Sequence, residues 1–273
     1  MKIIINDINK CETFIKLIHA ILLINQSNNG NNSYISIYFN EEGMHINGFL
    51  YSCERCLFEG KVNRQWFNEY EYDKINDPLI LTINFSEFLS ILEYYCNNDT
   101  IKIYTNIENS KKMFIEYVNI NNDITKYCVL SLLDNIEDND LINIISEEMD
   151  VEIVIKREVI LRNICMFNQN RNIEYINIDL NSEILKISDS LVNKELEISI
   201  KKGDIFYYTI GEGINITKKI CKIFINTLCM FNSFYKDENI YELVIGFKKN
   251  KQMKISYNIG ENSSISFYTN PSI

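Results

Sequence analysis

One order of elements occurs twice in this chain. A strand, a helix, several hairpin strands, a strand, a second helix and closing strands run through residues 1–131, and the same order returns over 150–273. The first helical stretches begin near Cys11 and Arg157 and the second near Phe85 and Asn226, so the separation between equivalent parts is nearly constant. A length of 273 residues accommodates two domains of about 130 to 140 residues each. The economical reading is two similar α+β domains, each an antiparallel sheet system covered on one face by two helices.

The helices are legible from spacing. Phe14, Leu17, Ile18, Ile21 and Leu22 recur at i, i+3, i+4, i+7 and i+8, which predicts a helix over Cys11–Ile24. "FSEFLSILEYYC" (Phe85–Cys96) buries Phe85, Phe88, Leu89 and Leu92 on one side, with Asn84 in place to cap it. Arg157–Asn168, with Ile160, Leu161, Ile164 and Cys165, and Asn226–Lys236, with Leu228, Phe231, Phe234 and Tyr235, supply the second pair. Between them lie alternating or β-branched stretches such as "SYISIYF", "TIKIYTN", "MFIEYVN", "VEIVIK" and "LEISI".

Residues 132–149, "LLDNIEDNDLINIISEEM", join the halves with six carboxylates and no base around the apolar "LINII". That is too acidic for a buried strand and too apolar for a free tether; it reads as a connector laid across a sheet, apolar side down. The terminus is equally unlike a loose tail. One of only two prolines, Pro271, follows the aromatic pair Phe267 and Tyr268, so the end of the chain is expected to dock.

Composition narrows the function. The net charge of −10 argues against a protein that coats nucleic acid with its whole surface, though not against one that gathers its cations on one face. The first apolar run is too short for a signal peptide and none approaches a bilayer span, which leads to the expectation of a soluble, intracellular protein with no membrane partner. The eight cysteines are scattered, and Cys53–Cys56 has no second pair at zinc-finger spacing, so free thiols and no metal are expected. His19 and His45 are the only histidines, and no GxSxG, P-loop, HExxH or GxGxxG occurs. An enzyme is not expected, and no cofactor is implied.

The duplicated order, the stretch "LILTINFSEFLSILEYYCNNDTIKIY", the connector "SLLDNIEDNDLINII" and the terminal "FYTNPSI" together resemble the proliferating cell nuclear antigen family of sliding clamps, in a diverged form, over essentially the whole chain. The resemblance implies the DNA-clamp fold, with two helices on the inner face of each domain, and a trimeric ring threaded by double-stranded DNA without sequence preference. It also implies a processivity factor in the nucleus (or at a cytoplasmic replication site, for a virus) that serves a DNA polymerase and other clamp-binding proteins and is loaded by a clamp loader. The alternatives are one subunit of a heterotrimeric checkpoint clamp, or a clamp-like viral factor for transcription or repair.

A ring needs only weak attraction to phosphate, because topology prevents escape. Lys10, Lys16, Lys74, Lys156, Arg157, Arg162, Arg171 and Lys236 are the candidate lining cations. The second helix departs from the family pattern: it shows Ser86, Glu87, Ser90 and Glu93 where clamps carry lysines. By position, Phe49, Leu50, Leu141, Ile144, Tyr268 and Pro271 would wall a surface pocket for short partner motifs. Subunits would pair through the edge strands Lys111–Asn119 and Lys194–Ile200.

Overall fold

Strands make up most of the described residues, as the alternating stretches require. The computed structural model describes residues 1–29, 34–50, 56–72, 78–96, 99–106, 111–119, 121, 123–134, 149–158, 175–181, 184–189, 194–199, 205–209, 215–221, 224, 228–229, 231, 242–248 and 252–269; at 22–29, 49–50, 56, 189, 194–199, 205–209 and 221 it describes the backbone alone. Two units divide the chain. One comprises Met1–Gly48, Glu59–Leu141 and Ile259–Ser264; the other comprises Phe49–Phe58, Ile142–Asn258 and Ile265–Ile273. No helix among the described residues is long and apolar enough to cross a membrane.

The N-terminal half carries β1 (Lys2–Ile5), α1 (Ile8–Asn29), β2 (Tyr34–Phe39), β3 (Gly43–Leu50), β4 (Cys56–Asn63), β5 (Glu69–Glu71), β6 (Leu79–Asn84), α2 (Phe85–Leu92), β7 (Thr100–Thr105), β8 (Lys112–Val118) and β9 (Ile124–Ser131), all in the first unit save the end of β3 and the start of β4. A five-stranded antiparallel sheet runs β5-β1-β7-β8-β9, and β4, β3, β2 and β6 neighbour one another in that order. Ile3, Ile5, Ile101, Ile103, Ile115 and Tyr117 of the five-stranded sheet are buried, as are Phe14, Leu17, Ile18 and Ile21 of α1 and Phe85, Phe88, Leu89 and Leu92 of α2. Each large apolar side chain so buried contributes about 1.5–3 kcal/mol of transfer free energy. Both helices therefore bury the faces their spacing predicts.

Their ends differ from expectation for local reasons. α1 starts three residues earlier than Cys11 because Asp7 Oδ1 accepts from Lys10 N at 3.0 Å, an N-cap. α2 is capped as expected, with Asn84 Oδ1 accepting from Ser86 N at 3.0 Å and Glu87 N at 3.2 Å. It stops at Leu92 rather than Cys96, since Tyr94 N and Tyr95 N bond back to Ile91 O and Leu92 O in tighter i→i−3 turns. At the start of β3, Gly43 has φ +149° and a Cβ there would lie 2.1 Å from Val62 O, so only glycine fits.

The C-terminal half carries β10 (Val151–Lys156), β11 (Tyr175–Leu180), β12 (Ile184–Asp189), β13 (Lys194–Ser199), β14 (Ile205–Thr209), β15 (Ile216–Cys221), β16 (Glu242–Phe247), β17 (Met253–Gly260) and β18 (Ser263–Tyr268), of which the β17–β18 turn, Ile259–Ser264, belongs to the first unit. One set of strands is ordered β14-β10-β16-β17-β18, and a separate four-stranded sheet β13-β12-β11-β15. Phe224, Leu228, Cys229 and Phe231 have helical backbone, and Phe231 packs 4.8 Å from the Tyr257 ring and 5.1 Å from that of Phe267. Of the helix expected at Arg157–Asn168, Arg157 and Glu158 are helical and the rest lies outside the described residues, as does most of Asn226–Lys236.

One expectation about the sheets is overturned. Lys111–Asn119 is not an edge: β8 is paired on one side with β7 and on the other with β9, and its side chains from Met113 to Tyr117 are buried. The outer strand is β9, and β13 does end its sheet as expected. The connector's first residues lie beside β6, where Leu133 N donates to Thr82 O at 2.9 Å; residues 135–148 lie outside the described residues.

Candidate nucleic-acid interface and subunit edges

Because α1 turns its apolar side to the sheet, Lys16 and His19 fall on its exposed side. Lys16 Nζ is 3.4 Å from Glu12 Oε2, one helical turn back, a contact between exposed groups of about 0.3–0.5 kcal/mol that a phosphate can displace. Lys10 is differently placed. Its Nζ donates to the Trp66 carbonyl at 2.8 Å and to both carboxylate oxygens of Glu261 at 3.0 Å, and it lies 5.7 Å from the centre of the Trp66 ring. Three kinds of acceptor already surround this ammonium, so the sequence reading of Lys10 as a free lining cation does not match its surroundings.

Glu261 reaches Lys10 from the β17–β18 turn, where Glu261 and Asn262 both adopt left-handed backbone, φ 48° and 58°. That conformation suits a tight hairpin and is costly for a side chain like glutamate. The exposed side of α2 presents Glu87, Ser90 and Glu93 and no base, as the sequence indicates. Lys156, exposed, ends β10, and Arg157, half-buried, begins the helical backbone after it. Lys74, Arg162, Arg171 and Lys236 lie outside the described residues.

For the expected pocket, the structure describes less. Phe49 and Leu50 are the last two residues of β3, described as backbone, and Leu141, Ile144 and Pro271 lie outside the described residues. Tyr268 is 2% exposed, and its neighbour Phe267 is equally interior. On β3 stand two polar groups that sequence reasoning passed over. His45 Nε2 and Asn47 Oδ1 are buried with no hydrogen-bond partner among the described residues. Burial, and next the charge of Lys61, push the His45 imidazole down to about 4 against an opposing effect of Glu42, so it is neutral at neutral pH.

The strand edges carry the most distinctive surface. β9 holds its helix-side residue Leu130 in the core but exposes Ile124 (57%), Tyr127 (54%) and Val129 (43%). Tyr127 extends an aromatic row across three strands: ring centres are 5.3 Å apart from Tyr104 to Phe114 and 6.0 Å from Phe114 to Tyr127. Beneath it Glu116, buried, accepts from Lys102 Nζ at 2.8 Å and Tyr104 Oη at 2.6 Å. Burial pushes the Glu116 carboxyl upward, but the Lys102 and Tyr104 hydrogen bonds outweigh it and hold the group below the ordinary range. β9 escaped the sequence reading because its exposed positions are apolar and aromatic, which blurs the alternation.

No family model matches the chain, and no curated protein does. Solved structures do. A complex of PCNA2 and PCNA3 from Sulfolobus tokodaii matches with TM-score 0.71 at 15% identity, covering 100% of this chain and 99% of that one. PCNA from Thermococcus kodakaraensis matches with TM-score 0.70 at 13% identity, covering 98% of each. At such identity the likeness shows fold: the chain has the two-domain α+β fold of PCNA-type sliding clamps from end to end.

Proposed function

We propose that this protein is a sliding-clamp subunit that closes into a ring around duplex DNA and tethers a polymerase and other DNA-handling proteins to it. The observation that carries the reading is the pair of open strand edges, β9 and β13, at the ends of two separate sheets in a fold of clamp type. An exposed edge with apolar side chains is a liability to a monomer and an asset to a closed assembly, in which β9 of one copy pairs with β13 of the next. DNA is held loosely by cations such as Lys16, Lys156 and Arg157, without base readout. Partners dock near Phe49, Leu50 and the chain terminus. The role is that of a scaffold, not a catalyst.

Two measurements test this. A self-closing trimer has three times the 32.2 kDa of one chain. Product length of a polymerase on primed circular DNA should increase with the protein present, and the effect should vanish on linear templates with free ends; equal stimulation on both would overturn the reading. A ring of unlike chains is the second reading, favoured by the similarity to a complex named for two different clamp chains. A monomer that forms a ring only with another clamp subunit would establish it.

A further inference from the structure

Beyond Leu92 the chain leaves α2 in a turn that carries Tyr94 and Cys96. Lys126, on β9, meets that turn: its Nζ passes 5.8 Å from the centre of the Tyr117 ring and donates to the Tyr94 carbonyl and to Cys96 Sγ, 3.0 Å away. A cation at a helix C-terminus is favoured by the helix dipole, so the amine is held there by three fixed features rather than resting against the sulfur by chance. Cys96 is exposed, while Cys11 is buried and Cys128 and Cys229 are half-buried. Among the described residues, Cys96 is the one free thiol that is both exposed to solvent and in contact with an amine.

We propose that Cys96 and Lys126 form a redox-sensitive pair, joined by a hydroperoxide through a single oxygen as a covalent Sγ–O–Nζ bridge. The first equivalent of hydrogen peroxide oxidises the thiol by two electrons to the sulfenic acid, Sγ–OH, and leaves as water. The second oxidises the nitrogen by two electrons. Nζ, after giving its extra proton to solvent, and the sulfenic oxygen each lose one hydrogen as the O–N bond forms, and two waters leave. Reduction by two dithiols reverses the four-electron change and returns the thiol, the amine and one water. Proximity selects this product, because one oxygen spans the 3.0 Å gap with little movement and the amine meets the sulfenic acid before a further oxidant does. The bridge fastens β9 to the end of α2. That consequence matters to a ring only if the clamp reading holds, but the chemistry does not depend on it.

The test is peptide mapping of the full-length protein after exposure to hydrogen peroxide. The expected result is a cross-linked pair of peptides containing Cys96 and Lys126, about 14 Da heavier than the two reduced peptides (one oxygen gained, two hydrogens lost), and reversed by a dithiol. The species is absent from C96S and from K126R, which keeps the cation over the α2 terminus but carries no primary amine. Recovery of Cys96 solely as sulfenic or sulfinic acid, or in a disulfide, overturns the proposal; so does an unchanged 14 Da product in K126R. Should K126R not fold, the map of the unmodified chain decides alone.

Discussion

Lys10 and Glu261 are 251 positions apart in the chain, yet the lysine Nζ lies 3.0 Å from both oxygens of the glutamate. The bond ties the N-terminal turn of α1 to the β17–β18 turn and uses the charge that a phosphate would need. Lys16, on the exposed side of the same helix, is free to exchange its weak Glu12 contact. The two lysines should therefore behave differently when removed.

Lys10→Met is expected to cost about 1–2 kcal/mol of stability, since Glu261 and the Trp66 carbonyl lose a charged donor. The salt dependence of duplex binding should hardly change. Lys16→Met should do the opposite: unaltered thermal stability and a binding slope against log salt shallower by about 0.9. Thermal denaturation and a salt titration of duplex binding check both.

Arg157→Ala combined with Arg162→Ala is expected to weaken retention on closed circular DNA, with the loss largest at low salt and narrowing as salt rises. Retention equal to the unmodified protein across the titration removes both arginines from the DNA-facing set.

Tyr127→Lys with Val129→Lys places two charges on the exposed side of β9. Both positions are open to solvent, so Val129→Lys should alter monomer stability by no more than about 0.5 kcal/mol, and Tyr127→Lys, which also gives up the Phe114 ring contact, by about 0.5–1.5 kcal/mol. Assembly should fail, and mass in solution should fall to the 32.2 kDa of a single chain. An unchanged oligomer would show that β9 is not the contact.

His45 gives a pH signature. Its folded pKa, about 4, lies below the ordinary 6.5, so the unfolded chain binds the proton more readily. The stability associated with a neutral His45 is complete above pH 6.5 and is lost as pH falls to 4 and below, by about 3 kcal/mol in total. Glu116, held below its ordinary range, adds a loss in the same direction at lower pH. His45→Leu should flatten the upper part of this acid limb in denaturant titrations, whereas an unchanged limb would assign the loss to other groups.

How much of this was readable beforehand follows from what each signal depends on. The buried faces of α1 and α2 were fully legible, because helix periodicity records burial directly: Phe14, Leu17 and Ile18, and Phe85, Phe88 and Leu89, lie where spacing puts them. The cap at Asn84 was legible too, since an N-cap is a local bond. Partners distant in sequence were not. Nothing near Lys10 announces Glu261, and a lysine on a helix reads as solvated until the turn that meets it is known. The edge was misassigned for a similar reason. "KMFIEYV" looks like an isolated apolar strand, and only the pairing of β8 with β9 shows that its backbone is already satisfied on both sides. The cover over Tyr268, 2% exposed, was not legible either, because its place near the terminus carries no information about what packs on it.

The outer edges of β9 and β13, each the last strand of its sheet among the described residues, also bear on how this chain has to be produced. A newly made copy meets its neighbours by concentration. When copies are scarce, each one carries an apolar β9 rim that any stray extended segment can zip onto, and that a proteolytic system can recognise. Expression level, and any second chain supplied alongside it, thus becomes part of folding: material made faster than it associates should collect as aggregate, and material made too sparsely should be cleared.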